Sequence, residues 1–209
     1  MSDLNSLSEH LARALGPALI ETKFAAGELT IAVEPSRILD VLKHLRDDSK
    51  CEFKILVDIC GNDWPTRPQR FDVVYHFLSL TRNQRIRVKA MLGEGEAIKS
   101  CVALYPAAGW FEREAFDMYG IAFEGNPDLR RILTDYGFSG YPLRKDFPLT
   151  GYVELRYDEE LKRVVYQPVQ LVQEFRSFDF LSPWEGMGRI LPGDEKASAD
   201  EVEKAPKAP

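Results

Sequence analysis

Apolar residues recur at helical spacing at the start of the chain, as Leu4, Leu7, Leu11, Ala14 and Leu15, until Gly16-Pro17 stops the run, so a short amphipathic helix is expected there. Residues 18 to 24 and 28 to 33 read as a β-hairpin turning at Ala25-Ala26-Gly27, with Leu29, Ile31 and Val33 alternating inward. Pro35 suits a first helical turn, and Ile38, Val41, Leu42 and Leu45 form the buried stripe of the helix that follows. Phe53, Ile55, Val57 and Ile59 then alternate as one face of a strand, and Phe71, Val73, Tyr75 and Phe77 as one face of the next. After a turn at Thr81 to Asn83, the apolar Ile86, Val88 and Ala90 alternate with Arg85, Arg87 and Lys89, a basic row that reads as a solvated face. Ile98, Cys101, Val102 and Tyr105 have the spacing of a helix ended by Pro106, and another helix is expected from about Ala107 to Tyr119. On that last helix Phe111, Ala115 and Met118 share a face, and Gly120 is placed to supply a left-handed cap. Residues 1–119 thus predict an α+β domain, an antiparallel or mixed sheet of about five strands covered by helices on one side.

From Gly120 onward the periodicity dissolves. The stretch GFSGYPLRKDFPLTGY, residues 137–152, carries Phe138, Tyr141, Leu143, Phe147, Leu149 and Tyr152, yet its glycines and prolines interrupt any helix or strand. A long aperiodic segment is usually either functional or disordered, and this aromatic content argues against disorder. Residues 120–191 therefore read as an extended arm laid on a permanent partner, with a hairpin at 153–168 turning near Asp158 to Lys162. Arg144, Lys145 and Asp146 sit between the apolar anchors Leu143 and Phe147, which calls for a charge partner there, on the partner or on this chain. The polar, Ala/Pro-rich residues 192–209 read as a disordered tail.

Charge and chemistry narrow the function. A net charge of -6 on 209 residues makes phosphate backbones poor partners. Cys51, Cys60 and Cys101 lack the close pairing of a disulfide framework, a zinc site or an iron-sulfur cluster, and read as reduced thiols. His10, His44 and His76 are far apart in sequence and suggest no triad or metal pair. No signal or transit segment and no run of eighteen apolar residues appears. GEGEAIK, residues 93–99, puts two glycines where a phosphate loop could sit, but Ile98 replaces the third glycine and Glu94 and Glu96 would repel the anion, so a tight turn is expected. In WFEREAFDMYGI, residues 110–121, Glu112 and Glu114 diverge, whereas Arg113 and Asp117 are four apart and spaced to pair.

EREAFDMYGIAFEGNPDLRRILTDYGFSGYPLRKDFPLTGY, residues 112–152, resembles the signature region of the 30-kilodalton subunit, also called the C subunit, of respiratory complex I. The likeness rests on Glu112, Arg113, Glu114, Asp117, the Pro127 to Leu133 run with Arg130 and Arg131, Gly137-Phe138, and PLRKDFPLTG with Leu143, Arg144, Lys145, Asp146 and Phe147. YQP at 166–168 and FDFLSPWE at 178–185 extend it. Asn126 and Tyr141 depart from it, standing where many members have histidine before proline. The resemblance implies a non-redox subunit of the peripheral arm, without catalytic, cofactor-binding or metal residues of its own, whose signature residues form a partner interface. It also implies that FMN, iron-sulfur clusters and quinone reside in partner subunits, and that the D subunit of the quinone module is the chief partner. The implied location is peripheral, on the cytoplasmic face of a bacterial inner membrane or the matrix side of a mitochondrion. An equivalent subunit of a complex I-like hydrogenase or another quinone-linked dehydrogenase is the alternative, and a stand-alone enzyme built from dispersed acidic residues is a third reading.

Overall fold

A computed structural model describes residues 2–176. Helix α1 (Ser2–Leu15) leads into the hairpin β1 (Leu19–Ala25) and β2 (Glu28–Val33). Pro35 opens a 3-10 turn that continues as α2 (Ile38–Asp47), followed by β3 (Ile55–Asp63), β4 (Phe71–Ser79) and β5 (Gln84–Leu92). These strands form one mixed sheet in the order β1-β2-β5-β4-β3, in which only β2 and β5 run parallel. The inward rows of β2, β4 and β5 are buried, and α1 and α2 join the same core through Leu7, Leu11, Ile38, Val41, Leu42 and Leu45. Alternation in the strands and the three- and four-residue spacing in the helices thus meet on one face.

Two segments depart from the sequence pattern. In β3 the register shifts between Leu56 and Asp58, so Leu56 and Ile59 are buried while Ile55 and Val57 are exposed; the irregularity reverses the alternation within the strand. Phe53 is buried ahead of the strand, its N–H donating to the Leu45 carbonyl (2.9 Å) and its carbonyl accepting from the Tyr105 hydroxyl (2.7 Å). Residues 97–105 are not a helix. They are a short strand, β6 (Ala97–Lys99), and a turn closed by Tyr105 N–H on the Cys101 carbonyl (2.9 Å). The apparent helical stripe is one inward strand residue, Ile98, followed by turn residues that reach the same core.

After α3 (Ala108–Tyr119), strand β7 (Ala122–Glu124) pairs in parallel with β6, burying Ile98 against Phe123, so the core runs on past residue 119. GEGEAIK is a turn, with Gly95 at φ +81° and the Gly93 N–H donating to the Glu96 carboxylate (2.6 Å), and it leads into β6. The basic row on β5 is half covered, because Arg87 pairs with Glu28 (2.5 Å) and Thr30 (3.2 Å) on the neighbouring strand. Residues 125–152 have no regular strand or helix, and β8 (Val153–Asp158) with β9 (Arg163–Pro168) forms an antiparallel hairpin. Its turn falls at Glu159 to Lys162, where the Asp158 carboxylate accepts the N–H groups of Glu160 (2.9 Å) and Leu161 (3.0 Å). The expected tail at 192–209 and the FDFLSPWE motif lie outside the described residues.

Candidate partner-docking site

Two carboxylates on α3, both fully buried, organise the segment that follows it. Glu112 accepts from the Ser100 hydroxyl (2.6 Å), the Cys101 N–H (2.8 Å) and the Asn126 side-chain amide (2.8 Å). Asp117 accepts three successive backbone N–H groups, from Ile132 (2.9 Å), Leu133 (2.7 Å) and Thr134 (2.9 Å), and the Thr134 hydroxyl (2.6 Å). Arg131 completes the set at 3.2 Å. Burial pushes the Asp117 pKa up, but the Thr134 hydroxyl and the three N–H groups outweigh it and hold the group at about 2. The expected Arg113–Asp117 pair does not form. Asp117 is taken up by the backbone of residues 132–134, while Arg113 donates to the carbonyls of Arg130 (2.9 Å) and Arg131 (3.1 Å) and lies over Trp110. Glu114 is exposed and Arg130 pairs at the surface with Asp128.

A second clamp holds the PLRKDF segment. The buried Asp63 takes both arms of Arg70 (2.7 and 3.0 Å) and the Lys145 N–H (2.7 Å), and Arg70 also reaches Asp146 (2.9 Å). The Arg70 guanidinium, the Lys145 N–H and Arg144 keep the Asp63 carboxyl below the usual range despite its burial. Arg144 donates to the Tyr119 carbonyl (2.7 Å) and Glu94 (2.9 Å), with its guanidinium over the rings of Tyr141 (4.5 Å) and Phe71 (5.0 Å). The charges of Arg144 and Asp146 are therefore met inside this chain. Gly120 is required here twice over, because its φ is +77° and a Cβ would lie 2.7 Å from the Tyr141 ring. Phe138 packs on Phe147, and Phe147 meets Tyr152 edge to face.

The clamps leave apolar surface outside. Leu133, Tyr136, Leu143, Leu149 and Tyr152 are exposed along the irregular segment. In the β8–β9 register Leu155 faces Tyr166, Tyr157 faces Val164 and Val153 faces Pro168, so these residues form one side of the hairpin, and Leu155, Tyr157, Val164 and Tyr166 are each more than half exposed. The other side carries Glu154, Arg156 and Gln167, which bond one another. A two-stranded hairpin is marginal alone in water, and a contiguous exposed apolar face marks an interaction surface. The hairpin lies within the arm expected to bind a partner, but its apolar residues are not among the signature residues named as the interface, although V-x-L-x-Y at 153–157 and V-x-Y at 164–166 alternate visibly. Spacing along the chain gives no sign that Asp63, Arg70 and Glu94 partner the arm, because only the fold brings them to it.

The family model described as "Respiratory-chain NADH dehydrogenase, 30 Kd subunit" matches residues 31–153, and the C subunit of NADH-quinone oxidoreductase from Methylobacterium sp. (strain 4-46) is 61% identical over 194 residues, 93% of this chain and 90% of that protein. The chain belongs to the 30 kDa subunit family of respiratory-chain NADH dehydrogenase. Solved structures agree with this family's fold. The trypsin-resistant fragment (1-134) of Nqo5 superposes with a TM-score of 0.53 at 31% identity, over 61% of this chain and 99% of the fragment. A chain of the archaeal membrane-bound sulfane sulfur reductase gives a TM-score of 0.60 at 26% identity, over 69% of this chain and 85% of that one. Among the described residues no helix is long and apolar enough to cross a membrane.

Proposed function

We propose that this member of the 30 kDa family is a non-redox structural subunit of the peripheral arm of the proton-pumping NADH:quinone oxidoreductase. It braces the quinone-reducing module and docks chiefly on that module's D subunit, on the cytoplasmic side of a bacterial inner membrane. The observation that carries this reading is the division of labour after residue 119: buried charges fix the irregular segment to its own domain, and the exposed apolar side of β8–β9 is left for a partner. FMN, iron-sulfur clusters and quinone are assigned to the partner subunits, and the purified chain is expected to carry neither flavin nor iron. Stoichiometric amounts of either, measured by visible spectrum and metal assay, would contradict that assignment.

Limited proteolysis tests the docking. Arg156, Lys162 and Arg163 lie on the exposed hairpin, and trypsin should cut there in the free subunit and be excluded in the assembled complex. Equal cutting in both states would place the hairpin in solvent. The likeness to a sulfane sulfur reductase chain supports a second reading, in which the same surface serves a related complex with another electron donor. NADH-dependent quinone reduction in membranes that lose activity on deletion of this chain would select the first reading.

A further inference from the structure

The far end of the sheet brings together side chains that the docking role does not use. Asp48 ends α2, its N–H bonding the His44 carbonyl (3.0 Å), and the next turn folds back so that the Cys51 N–H bonds the Asp48 carbonyl (3.0 Å). That turn places His44, Asp48 and Cys51 on one side, and α1 presents His10 to the same point, with its Nε2 3.1 Å from Asp48 Oδ1 and its ring 5.9 Å from that of His44. One donor atom from each of His10, His44, Asp48 and Cys51 lies within 4.8 Å of all the others. Cys51 is fully buried, and His44 Nε2 is buried without a hydrogen-bond partner among the described residues.

We propose that His10, His44, Asp48 and Cys51 form a zinc site that clips α1 to the end of α2. Two imidazoles, a carboxylate and a thiolate are the donor types of four-coordinate zinc, and a tetrahedral ion with bonds of about 2.0–2.3 Å sets its donors about 3.3–3.8 Å apart. The present spacing closes to that by side-chain rotation of about 1.5 Å or less, with His44, Asp48 and Cys51 on a backbone already fixed by the turn. Sulfur and nitrogen donors disfavour calcium and magnesium, which take all-oxygen shells. An open groove of about 600 Å³ reaches the cluster at His10, with Arg13, Lys50 and Arg82 outnumbering Glu9 on its wall. Its basic rim would repel a dication from a neutral site. Asp48 and Cys51, the latter releasing its thiol proton to solvent, supply two negative charges that balance the ion.

The test uses the full-length chain purified without a histidine tag, with cobalt(II) as the spectroscopic probe and zinc as the competitor. One cobalt per chain is expected, with tetrahedral d–d bands and a thiolate charge-transfer band that zinc abolishes. Cys51→Ser should lose the charge-transfer band. His44→Gln and Asp48→Asn should each weaken binding by more than about tenfold, while His76→Gln, at a histidine outside the cluster, should not. At free zinc about a hundredfold above Kd, the wild-type melting temperature should rise by about 5–10 °C and amide exchange in α1 should slow. Absence of stoichiometric binding, or binding that survives in all three ligand variants, would overturn the site; the wild-type melting shift decides the matter should a variant fail to fold.

Discussion

At the residue scale, the acids of α3 act within the chain, holding the irregular segment in place. Asp117 has a folded pKa of about 2, below the ordinary value, so its contribution is complete above about pH 4 and is lost as the pH falls through 2. The shift corresponds to about 2–3 kcal/mol. Asp117→Asn should therefore destabilise the free subunit by about that amount at neutral pH, and the difference in urea stability from wild type should shrink as the pH falls from 4 toward 2. A difference independent of pH would mean that packing, not the carboxylate, holds the loop. Arg144→Ala removes a bond to the Tyr119 carbonyl and two ring contacts, whereas its ion-pair partner Glu94 is more than half exposed and adds little. We expect a loss of about 1–3 kcal/mol in the urea unfolding of the free subunit. Unchanged unfolding would place the role of Arg144 at the partner surface instead. The sequence showed that Asp117 and Arg144 mattered through the company they keep in the motif. It did not show whom they touch, because spacing along a helix reports which residues share a face and is silent on which distant loop returns to it.

At the element scale, Gly120 ends α3 in the left-handed region and lets the Tyr141 ring close over it. Gly120→Ala should cost the free subunit about 2–4 kcal/mol, the backbone strain adding to a ring that has to move, as read by thermal or urea unfolding. A loss below about 1 kcal/mol would show that the ring moves freely. Most elements were legible because they repeat a period long enough to see: α1, the β1–β2 hairpin, α2, β4, β5 and α3 each carry several inward residues. The β8–β9 hairpin was legible from its position and turn. β3 was misread in phase, since one register shift between Leu56 and Asp58 inverts the inside and outside of the strand. Residues 97–105 were misread in kind, since a three-residue strand shows no period and its pairing with β7 spans more than twenty positions of sequence. The basic row of β5 looked solvated because its acid, Glu28, comes from a strand that only the parallel pairing brings alongside.

At the scale of the whole molecule, the mixed sheet and its helices form a core that extends through β7, the irregular segment is tied back to it by buried charges, and the hairpin presents its apolar side outward. The proposed assembly role rests on the exposed apolar face, which is where docking is expected to occur. Burying Leu155 and Val164 at an interface is worth about 1.5–3 kcal/mol each, so replacing both with aspartate should weaken docking by about two to four decades at about 1.4 kcal/mol per decade. The free subunit should be nearly unaffected, since both side chains are already exposed in it. The decisive measurement is the amount of assembled complex and its NADH:quinone reductase activity in membranes carrying Leu155→Asp with Val164→Asp, set beside the melting temperature of the purified variant. Complex and activity should fall together while the melting temperature stays within a few degrees of wild type; a normal complement of active complex would contradict docking through this face.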